Sequence, residues 1–309
     1  MPEQPATPTT GVATPHGLDR VPAPALFVAS GLTQYLGAAI AVGLFATVGA
    51  PTVAWLRIAL SAVVHVLWRR PRRTRYTRRD LGGVLLFGVV LAAMNVSFYV
   101  AIARLPLGTA VAIEFLGPVA VAAATGRGWR ERVGIALAGA GVVLLAGVTL
   151  RSDPGPQTVV GLVAIGVAAA CWAAYILLGR RVAHGGGRGH GVTSLAWAMA
   201  AGAVVFAPFL AGGAGPVLRD GRLALAVLGV AVLSSVIPYA IEQVVLRRVS
   251  AATFAVLLAL LPASATVVGA VVLRQWPHPV DLVGLALVSA AIALTSRASG
   301  PAPAAEASG

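Results

Sequence analysis

The strongest constraint on the fold is a succession of apolar stretches, each long enough to cross a lipid bilayer as a helix. A membrane-spanning helix needs about 20 predominantly apolar residues, and such stretches fill most of the 309-residue chain. Only 11% of the residues are charged, against about 25% in soluble proteins. The sequence therefore predicts an all-α membrane protein with ten transmembrane helices. These helices are predicted at residues 22–46, 51–68, 81–103, 107–125, 132–150, 157–179, 191–211, 223–246, 250–273 and 280–297.

The positive charges fall mostly on one side of the predicted membrane. All 23 basic residues are arginines, of which seventeen lie on one side, five lie on the other and Arg57 lies within a helix. Loops rich in Lys and Arg remain in the cytoplasm, so we expect a bacterial inner-membrane protein with both termini in the cytoplasm. The same distribution excludes a nucleic-acid partner, because the arginines do not form one face of a soluble domain. The tails at 1–21 and 298–309 are predicted to be disordered.

A weak internal repeat divides the chain into two halves of five helices, at 22–150 and 157–297. Three residues in or just before the fourth helix recur in or just before the ninth at a spacing of 144 residues. The pairs are Arg104 and Arg248, Thr109 and Thr253, and Pro118 and Pro262. Because five is an odd number of crossings, the second half must enter the membrane upside down. Inverted repeats of this kind are typical of secondary transporters, whose substrate site lies near the midplane between the repeats.

Two carboxylates and one guanidinium lie within predicted helices, where a charge is costly and usually faces the protein interior. Glu114 is followed by Pro118, which is predicted to break the fourth helix and to free backbone carbonyls. Glu114 can bind an ammonium group or a proton there, or it can form a structural ion pair with Arg57. Arg57 can instead receive the carboxylate of a substrate. Glu242, near the end of the eighth helix, is predicted either to take part in transport or to anchor the helix at the interface.

Further polar and aromatic residues interrupt the apolar runs and are predicted to line a pathway or to join helices. They are Gln34, Asn95, Tyr99, Trp172, Tyr175 and Tyr239. Pro238 and Pro262 predict two more helix breaks. His65, near one end of the second helix, is predicted to lie at the membrane interface.

No residue pattern indicates a cofactor or a metal. The one cysteine, Cys171, excludes an intramolecular disulfide and a multi-cysteine metal site. No spacing of His, Cys and carboxylates is typical of a zinc site, and no Ser-His-Asp set is evident. We therefore expect a protein without cofactors that is not an enzyme, whose partners are a small-molecule substrate, membrane lipid and, if transport is coupled to them, protons.

One segment, PLGTAVAIEFLGP at 106–118, is specific enough to identify a family, and the segments at 170–177 and 237–242 support it. They resemble the drug/metabolite transporter superfamily and, within it, the EamA-type branch that contains the threonine and homoserine exporters. The resemblance covers about residues 30–297. It implies ten helices in two five-helix repeats, cytoplasmic termini, and proton-coupled efflux of amino acids or related metabolites. It also implies that Glu114 and Glu242 occupy family positions.

Two sites depart from the pattern of that branch. It often has Glu before the proline of the ninth helix, where this chain has Leu261. It often has Gly-Glu after the ninth helix, where this chain has Arg274 and Gln275. The first departure removes an acid that could take part in coupling to protons.

Three functions are compatible with these observations. The first is amino-acid export by alternating access, in which Glu114 takes the proton or the substrate amine and Arg57 takes the carboxylate. The second is export of a drug or another metabolite on the same fold, because apolar residues dominate the chain. The third is a membrane-embedded enzyme, which would require a cluster of acids or histidines at one interface, whereas the acids here are isolated.

Overall fold

The computed structural model describes residues 21–69, 78–126, 128–185 and 191–298. Within these ranges the chain consists of helices and short turns without a β-strand, which confirms the prediction of an all-α protein. The predicted tails lie outside the described residues, except for residues 21 and 298. The helices are α1 Ala23–Val48, α2 Ala50–Arg69, α3 Arg78–Ile102, α4 Leu107–Glu114, α5 Leu116–Thr125, α6 Trp129–Ser152, α7 Pro156–Gly185, α8 Gly191–Leu210, α9 Gly215–Arg219, α10 Gly221–Ala231, α11 Ile237–Arg248, α12 Ala251–Leu257, α13 Leu261–Leu273 and α14 Pro279–Ala298.

Nine segments within the described ranges are long and apolar enough to cross a membrane. They are Ala23–Val48, Ala50–Leu67, Gly82–Ile102, Leu107–Thr125, Trp129–Ser152, Pro156–Gly179, Ala196–Arg219, Gly221–Arg248 and Pro279–Ser296. These segments correspond to the first eight predicted spans and to the tenth. The ninth predicted span, 250–273, is divided into α12, a 3₁₀ turn and α13, and it contains the shorter apolar helix Leu258–Leu273.

Three prolines lie directly after the points at which long helices change their geometry. A proline has no N–H, so the carbonyl four residues earlier loses its partner in the helix. The three sites are Pro118 after the turn at Phe115, Pro238 after the π-helical segment Val232–Val236, and Pro262 after the 3₁₀ turn Leu258–Leu260. In a regular α-helix these prolines would leave the carbonyls of Glu114, Ser234 and Leu258 without a donor, and that of Leu258 accepts instead from the N–H of Leu261. Each interruption therefore has a local cause in the sequence.

Glycines allow two pairs of helices to approach closely. A Cβ added to Gly141 on α6 would lie 2.8 Å from the carbonyl oxygen of Gly284 on α14. A Cβ added to Gly88 on α3 would overlap the carbonyl oxygen of Ala198 on α8. Small residues at such contacts are usual in membranes, where helices associate through close packing. Both α3 and α8 also contact α2, so the second contact fixes the surroundings of that helix.

The start of α4 is held by the segment that follows α13. The N–H of Leu107 donates to Oε1 of Gln275 over 2.9 Å, which satisfies one of the N–H groups that a helix leaves free at its start. Gln275 thus provides a cap although it departs from the family pattern. Arg274, the other departure, has a left-handed backbone with φ 57° and ψ 30°, a conformation that glycine adopts more easily.

We expect Gly88→Ala to lower the melting temperature of the detergent-solubilised protein, because the added methyl group must push α3 away from the backbone of α8. Overpacking of this kind costs about 1–3 kcal/mol. Gly82→Ala is the matched control on the same helix, since nothing lies within 4 Å of its added Cβ and alanine favours a helix over glycine. Equal melting temperatures for the two variants would contradict the close contact.

Candidate functional site

A cavity of about 290 Å³ lies among α1, α2, α3, α7, α8 and the broken helix formed by α10 and α11. Seven of the residues that the sequence singles out line it. They are Gln34, Arg57, Asn95, Tyr175, Pro238, Tyr239 and Glu242. The cavity therefore collects polar groups from both predicted halves of the chain.

The guanidinium of Arg57 links α2 to α3 and to the broken helix. Its Nη1 donates to Oδ1 of Asn95 over 3.1 Å, and its Nε donates to the hydroxyl of Ser235 over 3.2 Å. Its Nη2 donates to the carbonyl of Ser234 over 3.0 Å. Asn95 also donates from Nδ2 to the carbonyl of Leu91 over 2.8 Å, which directs its Oδ1 toward Arg57. All three partners of Arg57 are neutral, so they hold the guanidinium without neutralising it.

Pro238 makes one of these hydrogen bonds possible. The carbonyl of Ser234 is the one that loses its helical partner because Pro238 has no N–H, and Arg57 takes the vacant place. The hydroxyl of Ser234 donates to the carbonyl of Gln34 over 3.2 Å, so the same residue also joins α1. Short π-helical segments such as this one are frequent at functional sites.

An aromatic ring supports the guanidinium from outside the cavity. The Cζ of Arg57 lies 5.6 Å from the centroid of the Tyr99 ring, within range of a cation–π interaction. Tyr99 is fully buried and packs against the ring of Phe45, with 5.7 Å between centroids. Its hydroxyl has no hydrogen-bond partner among the residues that the structure describes. Tyr99 thus positions Arg57 and does not itself line the cavity.

Glu242 is the acidic side chain that lines the cavity. The hydroxyl of Ser30 on α1 donates to Oε1 of Glu242 over 3.3 Å and lies 3.4 Å from the carbonyl oxygen of Pro238. Glu242 follows Ser234 by eight residues in the broken helix, a rise of about 12 Å. Because Arg57 bonds to Ser234, its guanidinium and the carboxyl group of Glu242 lie at different positions along the broken helix and at different levels, that is, depths, of the same cavity. Glu242 faces this cavity and α1, which favours the transport alternative over an interfacial anchor.

His65 lies one turn before the end of α2, and its ring faces the cavity. Only 3% of its surface is exposed. Its Nδ1 lies 2.7 Å from the carbonyl oxygen of Ser61, so this buried nitrogen has a hydrogen-bond partner. The ring packs edge-on against that of Tyr239, with 5.1 Å between centroids.

Trp172 and Tyr175, two predicted pathway residues of α7, contact different parts of the protein. Tyr175 lines the cavity and stacks on Phe87, with 4.6 Å between ring centroids. Trp172 does not line the cavity and packs against Phe115, at the turn between α4 and α5, with 4.7 Å between centroids. Trp172 therefore supports the helix break, and only Tyr175 can contact a molecule in the cavity.

Glu114 lies outside this cavity. It is the last residue of α4, half-buried beside the turn at Phe115, and it does not contribute to the lining. Arg57 bonds to Asn95 and the broken helix, so the alternative of an ion pair with Glu114 does not describe this conformation. Tyr35, a buried residue of α1, is within coulombic range of Glu114, Glu242 and Arg57.

Three serines complete the polar surroundings and were not predicted. Ser30 lies one helical turn before Gln34, and this spacing is a signal that both face the same side of α1. Ser234 and Ser235 come just before Pro238, where backbone and side-chain groups are freed together. Within the described ranges, no three His, Cys or acidic side chains come together to hold a metal ion.

Known proteins are similar to this chain in sequence and in fold. The EamA-like transporter family matches residues 159–297. The threonine/homoserine exporter RhtA of Escherichia coli (strain K12) is 36% identical over 255 residues, covering 82% of this chain and 84% of that protein. RhtA of Salmonella typhimurium (strain LT2) is 35% identical with the same coverage. A protein of known crystal structure is 20% identical, covers 88% of this chain and 95% of its own, and superimposes with a TM-score of 0.54, a likeness of fold alone.

We expect Arg57→Met and Asn95→Ala to be non-additive in their effects on the free energy of unfolding, because each removes one partner of the same hydrogen bond. A hydrogen bond to a charged group contributes about 1.5–3 kcal/mol. The measurement compares both single variants with the double variant. Thr149→Ala on α6 is the control, since distant sites should add. Additive effects of Arg57→Met and Asn95→Ala would contradict the bond.

Proposed function

The chain belongs to the EamA-like transporter family, and on this basis we propose that it exports amino acids such as threonine and homoserine across the bacterial inner membrane. The curated relatives establish the family, which confirms the resemblance identified from the sequence. The relatives named as exporters support the direction of transport and the class of cargo. The many apolar helices identify a multi-pass membrane protein.

The observation that carries the proposal is a small cavity with a guanidinium at one level and a carboxylate at another. Its volume of about 290 Å³ is close to the lower limit of ligand pockets, which is roughly 300 Å³. This size favours a metabolite over a drug-sized molecule. A free amino acid carries one carboxylate and one ammonium group, so its charges are complementary to Arg57 and Glu242.

In the proposed complex the cargo carboxylate binds Arg57 and the cargo ammonium binds Glu242. Charge-assisted hydrogen bonds are about 2.8 Å long, so two of them and one amino-acid head group span much of the distance between the two levels. Gln34 and Asn95 lie in the same cavity and offer amide groups to a hydroxyl of the cargo. Glu114 does not line the cavity, so we assign the ammonium to Glu242 instead.

We also propose that residues 22–150 and 157–297 are inverted repeats of five spans, with α12 and α13 together as the ninth span. Matched helix contacts support this arrangement. The second spans, α2 and α8, pack against each other, and so do the fifth spans, α6 and α14. The first span of each half packs against the third span of the other half, α1 on α11 and α7 on α3. A two-fold axis in the membrane plane would produce these pairs.

The arginine distribution supports cytoplasmic termini, and in that orientation the cavity lies toward the cytoplasm. His65 is four residues from the end of α2, and Glu242 is six residues from the end of α11. Both helices run toward the cytoplasm in the proposed topology. The conformation is then the one in which an exporter takes up cargo, and rocking of the two repeats would expose the cavity to the outside. Inward movement of protons supplies the driving force, and no chemical reaction is catalysed.

Homoserine export tests the proposed cargo. The chain is expressed in a bacterium that lacks its own threonine and homoserine exporters, and the cells are challenged with toxic homoserine. We expect growth at concentrations that stop cells with an empty vector, together with lower accumulation of radiolabelled homoserine. Verified insertion in the membrane without resistance would contradict this cargo and leave the family assignment intact.

Glu242→Gln tests the proposed ammonium site. The amide keeps the shape of the side chain but removes the charge, so we expect the KM for homoserine in inverted membrane vesicles to rise about tenfold or more, as loss of a charged hydrogen bond implies. Asp220→Asn is the matched control, because it makes the same change at an exposed helix cap outside the cavity. An unchanged KM for Glu242→Gln would refute the assignment.

A further inference from the structure

His65 holds its ring in one orientation. Its Nδ1 lies 2.7 Å from the carbonyl oxygen of Ser61, one turn earlier on α2. A carbonyl oxygen only accepts hydrogen bonds, so Nδ1 must carry a hydrogen whether the ring is neutral or charged. The nitrogen that gains or loses a proton is therefore Nε2. Imidazole is the side chain that ordinarily changes its charge between about pH 5 and pH 8, the range in which a cell maintains its proton gradient.

The surroundings of His65 connect it to the negative charge of the cavity. Its ring contacts that of Tyr239, and Glu242 follows three residues later on the same face of α11. Both residues line the cavity together with His65. An imidazolium at this position therefore has one carboxylate in the same cavity.

The other groups that face this space have fixed or neutral charge. Among the described residues, the remaining positive charge is Arg57, two turns away on α2, and the remaining titratable group is the phenol of Tyr175 on α7. The neighbouring helices α1, α3 and α8 contribute uncharged side chains. These are Gln34 from α1, Leu91, Met94 and Asn95 from α3, and Met199 from α8. His65 and Glu242 are thus the imidazole and the carboxyl group that line this cavity.

Glu114 is the other group that the sequence offers for a proton. It ends α4 beside the turn at Phe115 and does not line the cavity. Glu114 lies within coulombic range of Arg57 but has no direct contact with a molecule in the cavity. His65 shares the cavity with the carboxylate of Glu242, so a proton on His65 and a bound cargo affect each other directly.

We propose that His65 is the proton-binding residue of this exporter and that its imidazolium competes with the cargo ammonium for Glu242. This inference rests on the proposed function. When the cavity faces outward, Nε2 takes up a proton, the imidazolium pairs with Glu242, and the cargo leaves. When the cavity faces the cytoplasm, Nε2 releases the proton there and Glu242 is free to bind the next ammonium.

The charges in this cycle balance with one proton entering for each amino acid that leaves. The cargo is a zwitterion without net charge, so the loaded protein carries no additional charge outward. The empty protein returns with one additional positive charge on His65. Each cycle therefore moves one positive charge into the cell, and the membrane potential drives export as well as the pH gradient.

His65→Asn separates the proton from the fixed hydrogen bond. An asparagine amide can still donate to the carbonyl of Ser61, but it has no nitrogen that titrates. The purified full-length protein is reconstituted in liposomes, and homoserine counterflow is measured at about pH 5.5 and about pH 7.5, a range in which imidazole titrates. For wild-type protein we expect the KM to be about tenfold higher at the lower pH, because competing ligands reduce each other's affinity.

For His65→Asn we expect the ratio of the two KM values to fall below about twofold, whatever the absolute rate, because proton and cargo are no longer linked. Accumulation of homoserine driven by a pH gradient or a membrane potential should be lost. Glu114→Gln is the comparison variant and should keep the wild-type ratio. Direct homoserine binding at both pH values provides a second measurement for a variant with slow counterflow.

Two results would overturn the role of His65. One is a tenfold KM ratio or gradient-driven accumulation that persists in His65→Asn, which would place the proton on another group such as Glu114 or Glu242. The other is a His65→Asn protein that binds no homoserine at either pH, which would give the ring a packing role. The cargo fails separately, since wild-type protein without homoserine counterflow contradicts the proposed function.

Discussion

A guanidinium bonded to a carbonyl that a proline has released holds the centre of this transporter together. A charge inside a membrane protein is stable only when polar groups surround it, and a regular helix has no backbone acceptor to offer. Pro238 changes this, because it leaves the carbonyl of Ser234 without a helical donor and Arg57 becomes the donor. Through that contact and the bonds to Asn95 and Ser235, α2, α3 and the broken helix are fixed relative to one another.

The neutrality of these partners matters as much as their number. A carboxylate beside Arg57 would form a buried ion pair, and a bound anion would then have to compete with the protein's own acid. The structure instead keeps Glu242 eight residues further along the broken helix, bonded to Ser30. The cavity therefore keeps two opposite charges apart, each held by uncharged groups. A molecule that carries both charges can satisfy both at once.

Hydropathy and charge were sufficient to predict an all-helical membrane protein and the positions of nine spans, because a bilayer requires long apolar helices. The prolines indicated where helices break, because the missing N–H is a local property. The sequence was a poorer guide to the face of a helix on which a side chain lies. The sequence places Glu114 deeper in its helix than Glu242, yet Glu242 lines the cavity and Glu114 does not, because the packing of α11 decides which side chain faces it. The predicted ion pair of Arg57 with Glu114 did not take backbone carbonyls into account. The carbonyl of Ser234 accepts here because Pro238 offers it no N–H and a neighbouring helix brings the guanidinium close.

The cap on α4 has a mechanical consequence. Gln275 ties the first residue of α4 to the segment after α13, and a Cβ added to Gly108 would overlap the Thr266 hydroxyl on α13. A hydrogen bond and a close contact thus tie the start of α4 to the C-terminal end of α13. In the proposed rocking of the two repeats, α4 and α13 move together and the helices bend at the interruptions at Phe115 and Leu258–Leu260. The interruptions, where regular helical hydrogen bonds are missing, then serve as hinges.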